Sequence, residues 1–147
     1  MHSIETPVDP DVHVAYDDVV ADTLEALTER VLQAERVGLD RSQIIVDPGL
    51  GFGKAPAESF ELLGRLGEFG ALGCPVLVGH SRKSMFDLVG RDDPEDRLAA
   101  TVAGTAVAAD RGADIVRVHD VAENVAAVRT AAAAADPAAV EGPTDGS

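Results

Sequence analysis

The chain has 147 residues, with 26 acidic and 12 basic side chains and a formal net charge of −14, which argues against binding nucleic acid or anionic lipid through the bulk surface. At 46% hydrophobic residues it can bury a core, so wholesale disorder is excluded, and no apolar run approaches the roughly 18 residues that cross a bilayer. A single cysteine, Cys74, excludes a disulfide framework and a multi-thiolate metal site; with no leader-like pattern in residues 1–5, the expected compartment is the cytoplasm.

In chain order, a helical stripe of Val20, Leu24, Leu27, Val31 and Ala34 predicts a helix over 14–37, stopped at Gly38. A β-branched run predicts a strand over 43–47. Phe60, Leu63, Leu66 and Phe69 predict a helix over 57–69, and a second apolar run predicts a strand over 75–79. An alanine-rich stretch opened by Pro94 and closed by Gly112 predicts a helix over 94–111. A third strand is expected over 114–118 and a last helix over 122–135, with Asp120 as its cap. The alternation is that of an α/β protein, and continuously apolar strands are expected to be parallel and covered on both faces. Residues 1–136 are read as one domain and 137–147 as a disordered tail.

The type of charge adds to its amount. Ten of the twelve basic residues are arginines, and the lysines are Lys54 and Lys83. Such an acidic, lysine-poor surface fits a chain adapted to high salt, and predicts specific jobs for the two lysines.

Each predicted strand ends in an unusual polar cluster. Asp47-Pro-Gly-Leu-Gly-Phe-Gly-Lys54 follows the first, Gly79-His-Ser-Arg-Lys83 the second, and Arg117, His119 and Asp120 close the third. In parallel α/β folds the strand C-termini form the ligand face. The glycine run is no phosphate loop, because the first glycine of that motif would fall at Pro48; the dinucleotide fingerprint would need glycine at Lys54. Asp47 either accepts two hydrogen bonds from a ligand with adjacent N–H donors or caps the turn that follows. Arg82 and Lys83, two cations directly after a strand, form either a solvated basic patch or a site for a ligand anion or an electron-rich heterocycle, and the scarcity of lysine favours the ligand. Period two puts Arg117 and His119 on one side of their strand, where guanidinium and imidazole suit an oxyanion or phosphate. His2, His13 and His80 have no comparable partner, and no spacing supports a metal site. Cys74 reads as a small buried residue.

These three clusters resemble, in order and spacing, three signatures of the dihydropteroate synthases, the last extending through Val121; Met1-His2 resembles the family's Met-His at the end of its fifth strand. The similarity runs from Met1 to about Ala135. It implies a pterin-binding (β/α)8 barrel, of which this chain supplies the C-terminal half with about four strands, one a remnant at Met1. The family joins p-aminobenzoate to a dihydropterin carrying a methylene diphosphate, giving dihydropteroate and pyrophosphate. Carried over residue by residue, Asp47 hydrogen-bonds the pterin ring. Lys83 contacts the pterin and borders the p-aminobenzoate pocket. Arg117 stacks on the pterin and, with His119, holds the leaving pyrophosphate; Gly51, Phe52 and Ser81 line the p-aminobenzoate side. Lys83, Arg117 and His119 are thus the catalytic set. The resemblance also implies Mg2+, whose asparagine ligand belongs to the family's N-terminal half and has no counterpart here. The expected partners are the two small substrates, a separate chain supplying the N-terminal half-barrel, and a second copy in a homodimer. The short length also fits a truncated reading frame or a decayed remnant. The alternative functions are a non-catalytic pterin-binding or partner-binding half-barrel, or half of a methyltransferase-like protein.

Overall fold

The computed structural model describes residues 1–3 and 15–140. Helix α1 spans Val19–Arg36. It starts later than the apolar stripe predicts because Asp18 caps it, its Oδ1 accepting the N–H groups of Val20 and Ala21 at 3.0 and 2.9 Å; Val14 lies outside the described residues. Val20, Leu27 and Val31 of the stripe are buried as the spacing requires. The strand expected over 43–47 is shortened from its start. Asp40 and Gln43 form a reciprocal capping box around a 3-10 turn at Arg41–Gln43, leaving one parallel bridge, Val46 to Val76. Pro75 offers that bridge only its carbonyl, which takes the Val46 N–H at 2.9 Å.

Helix α2, Pro56–Gly64, gives way at the glycines Gly64, Gly67 and Gly70 to a 3-10 stretch, Leu66–Leu72. The single helix expected over 57–69 is therefore two elements, although Leu63, Leu66 and Phe69 are all buried. Strands β1, Leu77–Val78, and β2, Ile115–Val116, pair in parallel with Leu77 opposite Ile115. Both are shorter than predicted, though the pairing extends at each end: Asp114 Oδ2 accepts the Val76 N–H at 2.8 Å, and the Arg117 N–H donates to Val78 O at 2.9 Å. Helix α3 spans Leu98–Asp110 after a 3-10 turn at Pro94–Arg97, and α4 spans Val121–Ala135. Pro137–Val140 forms a further 3-10 turn where the sequence predicts disorder; residues 141–147 lie outside the described part.

The core lies on one side of this small sheet. Val46, Val76 and Val78 pack against Leu27, Leu62, Phe69 and Phe86, each fully buried hydrophobe contributing roughly 1.5–3 kcal/mol. The other face departs from the expectation of two covered faces, since Ile45 and Ile115 are 51% and 37% exposed. Beside it, an apolar groove of about 600 Å3 runs between β2 and α4, lined by Leu77, Ile115, Val116, Val121, Val125 and Val128 among others. On the far side of Val46, the His2 N–H donates to Asp47 O at 2.9 Å, placing residues 1–3 alongside that segment. The architecture is α/β, mostly helical, with a small parallel sheet. Parallel pairing brings the ends at Asp47, Gly79 and Arg117 to one side.

Candidate functional site

The three polar clusters meet at the C-terminal ends of the extended segments. Gly79, Ser81, Lys83, Arg117, Val118 and His119 line one cavity of about 200 Å3. Gly79 makes room for the arginine, because a Cβ there would collide with the Arg117 guanidinium. Ser81 Oγ accepts the His119 N–H at 3.2 Å and lies 2.8 Å from His119 Nδ1. This pair of contacts holds the imidazole in the cavity, and either tautomer of the ring satisfies it.

Lys83 links this cavity to the glycine turn. Its Nζ donates to Leu50 O and sits 4.1 Å from the centroid of the Phe52 ring, a cation–π contact. A Cβ on Gly51 would meet the Lys83 stem at 3.1 Å, and Gly51 has φ +76°, so glycine serves there twice. Burial pushes the Lys83 ammonium down to about 8; the Asp47 carboxylate raises it and the Arg117 guanidinium lowers it further. Asp47 Oδ1 accepts the Gly49 N–H at 2.8 Å, which is the turn-capping role. Among the described residues its second oxygen takes no hydrogen bond, so it can still accept from a ligand.

Ser81, Lys83, Arg117 and His119 therefore share one cavity. Gly51 and Phe52 join them through the Lys83 side chain, and Asp47 through its field. Arg82 does not join. It adopts φ +57° and turns away to Asp120, with Nε and Nη2 donating to the carboxylate at 3.0 and 2.7 Å. That corrects the expected cap, because Asp120 gives α4 no side-chain hydrogen bond and its carboxyl is held below its usual range by Arg82. His80 is fully buried away from the cavity, its Nε2 3.0 Å from Thr101 O and 2.9 Å from Thr105 Oγ1. Gly104 admits that ring, since a Cβ there would lie 3.0 Å from His80 Cδ2. Cys74 is buried, as expected.

Two groups escape sequence reasoning. Arg97 is 6% exposed and donates to the carbonyls of Arg82, Arg91 and Asp92, each at 2.8 Å, and to Asp87 Oδ1 at 2.5 Å. It gathers the whole loop after β1. Thr105 donates to Asn124 Oδ1 at 2.5 Å, continuing the His80 network into α4. Nothing marks one arginine among ten, or a threonine in an alanine-rich helix, as buried and bonded.

Three nitrogen donors, those of Lys83, Arg117 and His119, thus stand around one small cavity, with the Phe52 ring and the Asp47 carboxylate linked to it through Lys83. Among the described residues no three His, Cys, Asp or Glu side chains group to hold a metal ion. No described helix is long and apolar enough to cross a membrane.

The family model for pterin binding enzymes matches residues 1–119. The chain belongs to the pterin-binding enzyme family. It is 70% identical over 137 residues to a Haloferax volcanii protein named "probable bifunctional folylpolyglutamate synthase/dihydropteroate synthase", covering 93% of this chain and 16% of that one. The structure of Xanthomonas albilineans dihydropteroate synthase with 4-aminobenzoic acid superposes with a TM-score of 0.83 at 43% identity, over 88% of this chain and 49% of that one. The same enzyme in complex with 7,8-dihydropteroate gives 0.81 at 43% identity, over 88% and 48%. The chain thus spans about half the length of the solved synthases it matches.

Proposed function

We propose that this chain supplies the C-terminal half-barrel of a dihydropteroate synthase and carries most of the reacting-centre contacts. The observation that carries the reading is the cavity shared by Ser81, Lys83, Arg117 and His119, with Phe52 under the Lys83 ammonium. The solved relatives bound to 4-aminobenzoic acid and to 7,8-dihydropteroate lend the substrate classes.

In this reading Asp47 accepts the pterin's N–H groups, while Lys83 contacts the pterin and borders the aminobenzoate side formed by Gly51, Phe52 and Ser81. Arg117 stacks on the pterin and, with the His119 imidazole, holds the diphosphate. The amine nitrogen of 4-aminobenzoate forms the new C–N bond at the pterin methylene. The C–O bond breaks, its electron pair leaves on pyrophosphate, and the amine proton is released. Positive charge builds on the ring and negative charge on the leaving group, so preorganised cations beside the departing oxygens favour the transition state. No side-chain nucleophile is required.

The half-open sheet face and the apolar groove along β2 and α4 support a companion half-barrel, on the same or a separate chain, closing against this one. The Mg2+ implied by the resemblance is assigned to that companion. Pairing of two copies follows from the same resemblance. The acidic, lysine-poor surface supports folding at high salt, and the lone buried thiol supports the cytoplasm.

The test mixes this chain, in molar salt, with the half of the Xanthomonas synthase outside the match, and follows pyrophosphate release from 4-aminobenzoate and the dihydropterin diphosphate. Release is expected from the mixture and not from either part. Background rates in a folded mixture refute the synthase reading; full release by this chain alone refutes the companion.

A further inference from the structure

The second lysine, Lys54, has no part in the cavity. It is 3% exposed, and its Nζ donates to Gly49 O at 3.0 Å and Phe52 O at 3.2 Å. No carboxylate within 4.0 Å pairs with it among the described residues, so its charge is met by the turn's carbonyls. Burying an ammonium this way is costly unless the position needs it. The turn does need a fixed point. Gly49, Gly51 and Gly53 adopt φ values of +74°, +76° and +65°, a backbone that only glycine repeats without strain. Lys54 collects two carbonyls of this turn, and Lys83 takes one that lies between them in the chain, that of Leu50, while covering the Phe52 ring. Phe52 is thus held at two points, Lys54 on its backbone carbonyl and Lys83 on its ring face.

We propose that Lys54 is a positioning residue for Phe52, clamping the glycine turn so that the ring meets Lys83 and a flat aromatic amine in one orientation. The part concerning the amine rests on the synthase reading; the clamp does not. The charged groups that act on Lys54 are Asp47, Lys83 and Glu58, and Lys54 in turn helps hold the nearby His2 imidazole below its usual range.

The clamp is tested without substrate, by NMR on the 147-residue chain. The Lys83 Cε protons are expected to carry an upfield ring-current shift from Phe52. In Lys54→Met that shift collapses and the Phe52 amide exchanges about tenfold faster, while core amides such as Val78 keep their protection. An unchanged shift in folded Lys54→Met overturns the proposal. If that variant fails to fold, Lys54→Gln decides: shorter and uncharged, it reaches one carbonyl at most. An intermediate loss of the shift is then expected, and no loss overturns the clamp. In the reconstituted enzyme, Lys54→Met is expected to raise KM for 4-aminobenzoate about tenfold with kcat within about threefold. A loss confined to kcat overturns the positioning role. Absence of turnover in the unmodified enzyme counts against the synthase reading and leaves the clamp standing on its ring shift.

Discussion

Lys83→Met in the reconstituted enzyme is expected to lower turnover by about 100-fold or more, with the fold intact, because a desolvated charged donor at a developing charge commonly contributes two to three decades. Arg117→Ala is expected to fall in the same range. Both residues line the cavity and neither supports the core. The pH profile makes the claim sharper. Lys83 in the folded chain titrates near 8, well below its ordinary 10.5, because burial outweighs the pull of Asp47. The charged form donates, so turnover is expected to fall as pH rises through about 8, by up to tenfold per unit. Stability runs the other way. Between about 8 and 10.5 the unfolded chain binds more protons at Lys83 than the folded one, so this lysine's contribution to stability rises with pH across the window in which turnover falls. Lys54 titrates alongside it near 8, while Cys74 and Tyr16, raised by burial, oppose it as they ionise. Lys83→Arg, charged throughout, separates the two lysines by removing only the Lys83 limb. Activity that stays flat to pH 10 in the unmodified enzyme, or near-normal turnover in Lys83→Met, contradicts the role.

Arg97→Leu is expected to destabilise the fold by about 3 kcal/mol, the order seen when one partner of a buried charged network is removed. The change would leave Arg82 O, Arg91 O, Asp92 O and the Asp87 carboxylate without their shared donor. The Asp87 share is small, because that carboxylate is 41% exposed. Urea denaturation in constant high salt reads the effect as a lower midpoint. A shift under about 1 kcal/mol would mean that water replaces the guanidinium without loss, and Arg97 would hold nothing.

Much of this was legible in the residues because periodicity and turn chemistry report local geometry. Val20, Leu27 and Val31 are buried at the spacing that predicts them, and Gly112 stops its helix at φ +96°. Strand lengths were not legible. Apolar runs mark burial, but a ladder needs a partner for every N–H, and Pro75 and the Asp40 box withhold some of them. The site was legible where a motif follows a strand, since the parallel pairing of Val46, Val76 and Val116 with their neighbours forces those motifs to one end. It was illegible where a polar group acts through burial. Arg82 and Lys83 are adjacent, yet one pairs with Asp120 and the other enters the cavity, and only the positive φ of Arg82 separates them. The same holds for Lys54, whose scarcity signals a role but whose position against the turn is a matter of tertiary packing.

The proposal that Asp47, Lys83, Arg117 and His119 converge on one pterin diphosphate is tested most directly by titrating the isotope-labelled chain with the dihydropterin diphosphate and following those four side chains by NMR. All four are expected to shift with a single common midpoint, with residues of the β2–α4 groove such as Val121 and Val125 unmoved. Separate midpoints, or shifts confined to the groove while Lys83 stays in place, would show that these groups do not surround one bound pterin.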